Sequence, residues 1–265
     1  MKTNGDLAVP NLAKPRKLRV LDLFSGIGGF SLGLERTGGF ETIAFCEIEP
    51  YCQKVLKKHW PDVPIYNDVR KLDGRTITAD VVCGGFPCQD LSVAGKQAGI
   101  EGNRSGLWTE LCRIIGEVRP RYAIVENVTN LLAGERGAWF GRVLGDLAEI
   151  GYDAEWHCIP ASYVGSCHHR DRIFIIAYPI GKYVSSMDFS KSFCVNSEES
   201  RRRKYTRAVN AAIPADDYTR MRRNHDGGNS IMDRLKALGN AVVPQQVYPI
   251  LAGIAHIIRV SESTA

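Results

Sequence analysis

Short apolar runs alternating with amphipathic stretches constrain this chain more than any other feature. Leu18 to Leu23, Thr42 to Glu47, Val63 to Tyr66, Val81 to Cys83 and Tyr122 to Val125 have strand character. Between them, Phe30 to Thr37, Pro50 to His59 and Gly106 to Val118 carry apolar residues at helical spacing. Strands apolar on both faces, joined by helices, predict a doubly wound α/β sheet of the Rossmann-like kind. Arg142 to Ile150 extends the pattern as a helix closing on Gly151, and Asp153 to Pro160 and Arg172 to Ala177 add two strands. With 265 residues and 44% hydrophobic content, the chain can bury one large core. Tyr178 to Ser230 breaks the alternation, being polar, Ser-rich and weakly periodic. The expected organisation is a flexible tail over 1–17, a main domain over 18–177, a small inserted lobe over 178–230 and a segment over 231–265 that returns to the main domain. Within that last segment Ile231 to Leu238 and Gln246 to Val260 read as helices.

In open α/β sheets ligands and chemistry gather outside the carboxyl ends of the strands, so the residues that close each run matter most. After Ala79-Asp80-Val81-Val82-Cys83 comes Gly84-Gly85-Phe86-Pro87-Cys88-Gln89, a turn that presents one thiol at a strand end. Such a cysteine is either a nucleophile or a small residue packed under a turn. After the first strand, Phe24-Ser25-Gly26-Ile27-Gly28-Gly29 opens a helix, as a ligand-cradling loop does. It lacks the Gly-Lys-Ser/Thr ending of a phosphate loop and the Gly-x-Gly-x-x-Gly spacing of a dinucleotide site. Glu47 closes the second run, where a carboxylate can take both hydroxyls of a ribose. A nucleoside-like ligand without a pyrophosphate fits these features. Glu126 closes the fifth run, placed either to face Cys88 or to cap a helix after the strand.

The ordered series Asp22-Leu23-Phe24-Ser25-Gly26-Ile27-Gly28-Gly29-Phe30, Gly84 to Gln89, Glu126-Asn127-Val128 and Gly239-Asn240-Ala241-Val242-Val243-Pro244-Gln245 resembles the motifs of the DNA cytosine-5 methyltransferases. The likeness covers residues 18 to about 177 and about 231 to 256. It implies S-adenosyl-L-methionine as cofactor, held by Phe24, Ser25, Gly26, Gly28, Gly29, Glu47, Ile48, Asp68, Val69, Pro87, Leu107, Asn240 and Ala241. Phe24 would stack near the adenine, Glu47 would bind the ribose and Asp68 would receive the adenine amino group. The resemblance makes Cys88 the nucleophile at carbon 6 of cytosine and Glu126 the group that meets the charge near ring nitrogen 3. It gives Asn127 a role in holding the geometry, Arg172 one at the cytosine carbonyl edge or in support of Glu126, and Arg170 an auxiliary one. The commonest family pattern has Pro-Gln before Arg170-Asp171-Arg172; here Cys167-His168-His169 stands there. Adjacent side chains point apart, and no second cluster has ligand spacing, so a metal site is not expected there.

Net charge is +5, and residues 178–230 hold ten Lys or Arg against six Asp or Glu, so 10 − 6 = +4 of excess falls in the lobe. Arg201, Arg202, Arg203, Lys204, Arg220, Arg222 and Arg223 suit a phosphate backbone. The stretch from Gln89 to Leu107, with Ser92, Lys96, Arg104 and several glycines, reads as a basic flap over nucleic acid. The expected partner is duplex DNA with a flipped cytosine, since carbons 5 and 6 are shielded within a stacked duplex. Two alternatives keep the fold: a methyltransferase acting on transfer RNA, or a nucleic-acid-binding regulator without turnover. The eight cysteines form no Cys-x-x-Cys pair, and no apolar run suits a signal core or a membrane span. Reduced thiols and a cytoplasmic location are the corresponding expectations; a monomer goes with the family resemblance, which leaves open whether a companion restriction endonuclease exists.

Overall fold

The computed structural model describes residues 16–87, 106–164, 170–181, 237 and 240–263. Seven strands form one sheet: β1 (Leu18–Leu23), β2 (Phe40–Cys46), β3 (Ile65–Tyr66), β4 (Val81–Gly85), β5 (Tyr122–Val128), β6 (Tyr152–Pro160) and β7 (Asp171–Pro179), in the order β3-β2-β1-β4-β5-β7-β6. The first five strands are mutually parallel, whereas β7 runs antiparallel to both β5 and β6. Strand order reverses between β1 and β4, which sets a crevice at their carboxyl ends.

Among the described residues there are five α-helices: α1 (Gly29–Arg36), α2 (Pro50–His59), α3 (Gly106–Val118), α4 (Ala138–Glu149) and α5 (Pro244–Ser263). Alternation along the strands assigns the faces. Leu21, Leu23, Val82, Ala123, Val125, Ile173 and Ile175 pack with Trp108, Leu111, Ile115, Val143 and Leu147 of α3 and α4. Val20, Val81, Cys83, Ile124, Phe174 and Ile176 pack with Phe30 and Leu34 of α1 and Val247, Ile250, Leu251 and Ile254 of α5. Pro50 begins α2, where its missing N–H costs nothing, and Lys57, Lys58 and His59 end it against the helix dipole. Gly151 follows α4 at φ +83°, the left-handed stop that a helix end favours.

Two interactions return the C-terminal segment to the sheet. The buried Gln246 Nε2 donates to the carbonyls of Ile159 (2.7 Å) and Arg170 (2.9 Å), tying the start of α5 to β6 and to the entry of β7. Arg170 donates in turn to the Ala241 carbonyl at 2.7 Å. No helix among the described residues is long and apolar enough to cross a membrane. The expected 231–238 helix lies outside the described residues except for Ala237, which is helical and buried.

Candidate active site

The turn after β1 leaves the sheet through three left-handed residues, Phe24 (φ +52°), Gly26 (φ +54°) and Gly28 (φ +84°). Ser25 is buried, its hydroxyl donating to the Asp22 carbonyl at 2.6 Å. Gly28 caps α1 and lies against Trp60, whose indole occupies the space a side chain would need. That indole also donates to both carboxylate oxygens of Glu35 at 3.0 Å and stands edge-on to Phe45. Gly29 lies against the Val242 backbone, where a Cβ would fall 2.2 Å from the carbonyl oxygen. This close approach brings the Asn240-Ala241 segment to the turn, with Asn240 exposed and Ala241 buried.

Glu47 directly follows β2, with both carboxylate oxygens held by backbone amides. Oε2 accepts from Gly26 at 2.7 Å and Oε1 from Glu49 at 2.8 Å. Burial raises its pKa, while those amides pull it back. Its backbone N–H donates to the Tyr66 carbonyl at 2.9 Å, and Gln53 Nε2 bridges the Glu47 carbonyl (2.6 Å) and Asn67 Oδ1 (3.2 Å). Ile48 beside it is 58% exposed, Val69 is buried, and Phe24 and Leu107 are half-buried on the same core. Asp68 caps the short turn Val69–Lys71 and is paired through both oxygens with the Arg70 guanidinium at 2.9 and 3.0 Å, which holds its carboxyl below the usual range. The expected adenine-facing carboxylate is therefore already engaged by its own neighbour.

The second half of the site spans β4, β5 and β7. Glu126 pairs in register with Gly85, and a Cβ at Gly85 would lie 2.7 Å from Glu126 Oε2. A glycine there lets the carboxylate lie across the end of β4. Arg172 Nε pairs with Glu126 Oε1 at 2.8 Å. Burial raises the Glu126 pKa; Arg172 and then Arg170 oppose it. Arg172 thus stands beside the Glu126 carboxylate, reaching it from the strand next to β5. Asn127 Nδ2 donates to the Phe86 carbonyl at 3.3 Å, and Asn127 Oδ1 accepts from Val128 N at 2.8 Å. Phe86 is buried against Trp108, and Pro87 after it is exposed. Asn127 thus fixes the backbone two residues before Cys88.

Cys88, Gln89, Ser92, Lys96, Arg104, Cys167, His168 and His169 lie outside the described residues, as do Arg201, Arg202, Arg203, Lys204, Arg220, Arg222 and Arg223. Among the described residues no group of His, Cys, Asp and Glu could hold a metal. The structure also gives roles to two residues for which the sequence patterns suggest none. Asp22 is fully buried, its Oδ2 accepting from Ser31 Oγ at 2.6 Å, and burial pushes its pKa up to about 7. Since α1 has no side-chain cap of its own, Asp22 grips its first turn from the neighbouring strand. Gln246 is the second such residue; it stands next to Gln245 of the motif series, and only its two long-range carbonyl partners mark it.

Residues 18–226 match the family model of the C-5 cytosine-specific DNA methylases. Among similar proteins, Type II methyltransferase M1.ScrFI of Lactococcus lactis subsp. cremoris is 35% identical over 66% of this chain and 45% of its own length. Type II methyltransferase M.Sau3AI of Staphylococcus aureus is 34% identical over 79% of this chain and 54% of its own. The chain thus spans about half the length of these relatives. A Spodoptera frugiperda DNMT2 mutant shares the fold at TM-score 0.62, with 16% identity over 91% of this chain and 99% of that one.

Proposed function

Because this chain belongs to the C-5 cytosine-specific DNA methylase family, we propose that it transfers a methyl group from S-adenosyl-L-methionine to carbon 5 of cytosine in duplex DNA. The observation that carries the reading is the junction of β4, β5 and β7. A buried carboxyl paired with Arg172 lies across Gly85, and Asn127 anchors the chain immediately before a Pro-Cys step.

The first half of the site fits the cofactor. A Cβ at Gly26 would meet nothing within 4 Å, so the turn faces open space. Beside it, two backbone amides orient the Glu47 carboxylate, as a ribose diol requires. Phe24, Gly26, Gly28, Glu47, Ile48, Val69 and Leu107 would hold the nucleoside, and Asn240 and Ala241 the remainder. When bound, the cofactor supplies an electrophilic methyl group on a sulfonium.

Cytosine carbon 5 is a poor nucleophile until the ring's conjugation is broken. The Cys88 thiolate, soft and able to leave again, forms a bond to carbon 6. Negative charge then develops towards ring nitrogen 3. Glu126, whose burial favours the protonated form, meets it by sharing a proton, and Arg172 holds the carboxyl in place. Once carbon 5 carries the methyl group, loss of its proton to a base re-forms the ring double bond and expels the Cys88 thiolate. In this reading the main domain over 18–177 is catalytic, and the 178–230 lobe contacts phosphates through its cations and bases through a few polar groups.

The test is trapping on duplex DNA with 5-fluorocytosine in place of cytosine. Fluorine cannot leave carbon 5 as a proton does, so a denaturant-resistant adduct at Cys88 is expected when S-adenosyl-L-methionine is present. Trapping on RNA but not on varied DNA would transfer the reaction to RNA. Trapping on neither would defeat the enzymatic reading.

A further inference from the structure

From α3, the Arg113 side chain reaches two backbone carbonyls more than 40 residues away. Arg113 Nη2 donates to the Val69 carbonyl at 2.9 Å, and Nη1 donates to the Leu72 carbonyl at 3.1 Å. Two glutamates of the same helix hold the guanidinium. Nε donates to Glu110 Oε2 at 2.9 Å, and Nη1 donates to both oxygens of Glu117 at 2.9 Å. Glu117 extends the clasp by accepting from the Gly74 backbone N–H at 2.8 Å. The 69–74 segment is thus pinned to α3 at three backbone positions, with Val69 and Leu72 buried in the core that α3 also lines.

The pinned segment follows Asp68 directly, and α3 begins with Gly106-Leu107. We propose that Arg113 is a positioning residue for the adenosine half of the cofactor, holding the Asp68-Val69 turn at a fixed place relative to Leu107. This rests on the cofactor reading above, which puts Val69 and Leu107 around the nucleoside. Arg113 touches none of the reacting atoms and acts only through the backbone it grips. The planar fork is needed because one group must serve two carbonyls and two carboxylates at once; a lysine has a single charged point and cannot span them.

The experiment is calorimetric titration of the full chain and of Arg113→Met with S-adenosylhomocysteine and with 5′-methylthioadenosine, which keeps the adenosine but lacks the amino-acid end. Both ligands are expected to weaken by the same factor, about tenfold. With saturating cofactor and DNA, kcat should change by less than about twofold while KM for the cofactor rises in step. A purely structural role would lower the melting temperature and leave both affinities unchanged, which overturns the proposal. Weakening of S-adenosylhomocysteine alone would overturn it too, since the effect would then fall on the amino-acid end. If the parent itself binds neither ligand, the methyltransferase reading fails and the proposal goes with it. Should Arg113→Met not fold, Arg113→Lys decides: equal weakening of both ligands supports the role, and parental affinity removes it.

Discussion

Asp22 has the least ordinary chemistry among the described carboxylates. Enclosed beneath α1 and faced by the Ser31 hydroxyl, the Cys83 thiol and the Glu47 charge, it titrates near pH 7 instead of 3.8. A raised folded-state pKa means that the folded protein holds the proton more tightly than the unfolded chain. The stability this contributes is full below pH 3.8 and is lost as pH rises to about 7. Asp22→Asn keeps an oxygen for Ser31 and has no charge to bury. Urea unfolding should therefore find the variant gaining on the parent by about 2 kcal/mol between about pH 5 and about pH 8. A constant gap would mean that Asp22 does not titrate in that window. Glu126 is enclosed as well, but its partner is a cation, and the proposed reaction gives it a chemical role. Glu126→Gln should cut turnover by about 10²- to 10⁴-fold while leaving S-adenosylhomocysteine affinity within about twofold, as single-turnover kinetics and calorimetry would report. Both residues lie in apolar strands, and the sequence separates them clearly. Glu126 comes with the Asn-Val that follows it in the family motif, whereas nothing local marks Asp22 as a helix clamp, because its partner Ser31 lies across the turn.

Among the elements, α2 and α3 begin and end where periodicity and their proline and glycine boundaries place them, at Pro50–His59 and Gly106–Val118. Their limits are set locally. β5 is different: its apolar run stops at Val125, yet the strand continues to Val128. Pairing of Glu126, Asn127 and Val128 with Phe174, Ile173 and Arg172 carries it onward, and that partner arrives antiparallel from 44 or more residues away. The same pairing sets Arg172 beside Glu126, so the carboxylate–guanidinium contact follows from a strand direction that no local pattern encodes. Gly29 is a contact of similar range, because α1 rests directly on the Val242 backbone. Gly29→Ala would push a methyl group into that carbonyl. The expected result is a loss of about 1 to 3 kcal/mol in denaturant unfolding, with weaker S-adenosylhomocysteine binding as the Asn240-Ala241 segment moves off the turn. Unchanged stability and affinity would show that the two backbones can separate without consequence.

At the scale of the whole chain, the two halves of the proposed task depend on different physics. Cofactor binding and carboxyl placement use close packing, buried hydrogen bonds and strand register, and they belong to the sheet. DNA binding uses charge, and the excess charge is concentrated in 178–230, where cations outnumber anions by 10 − 6 = 4. In the proposed reading that segment shows in the sequence as composition alone, because phosphate recognition needs neither periodicity nor a large core. The two functions should therefore separate under mutation. Replacing Arg201, Arg202, Arg203 and Lys204 by Gln should weaken DNA binding at low salt and make the dependence of log K on log salt shallower, by about 0.9 for each phosphate contact removed and about 2 to 4 in all. Because the lost contacts are to phosphates, the weakening should be nearly uniform across DNA sequences. S-adenosylhomocysteine affinity and melting temperature should stay at parental values. An unchanged salt slope would place the phosphate contacts elsewhere, with Lys96 and Arg104 of the 88–105 stretch next in line. A parallel loss of cofactor affinity would mean instead that the lobe supports the sheet, and that its charge serves the fold as well as the DNA.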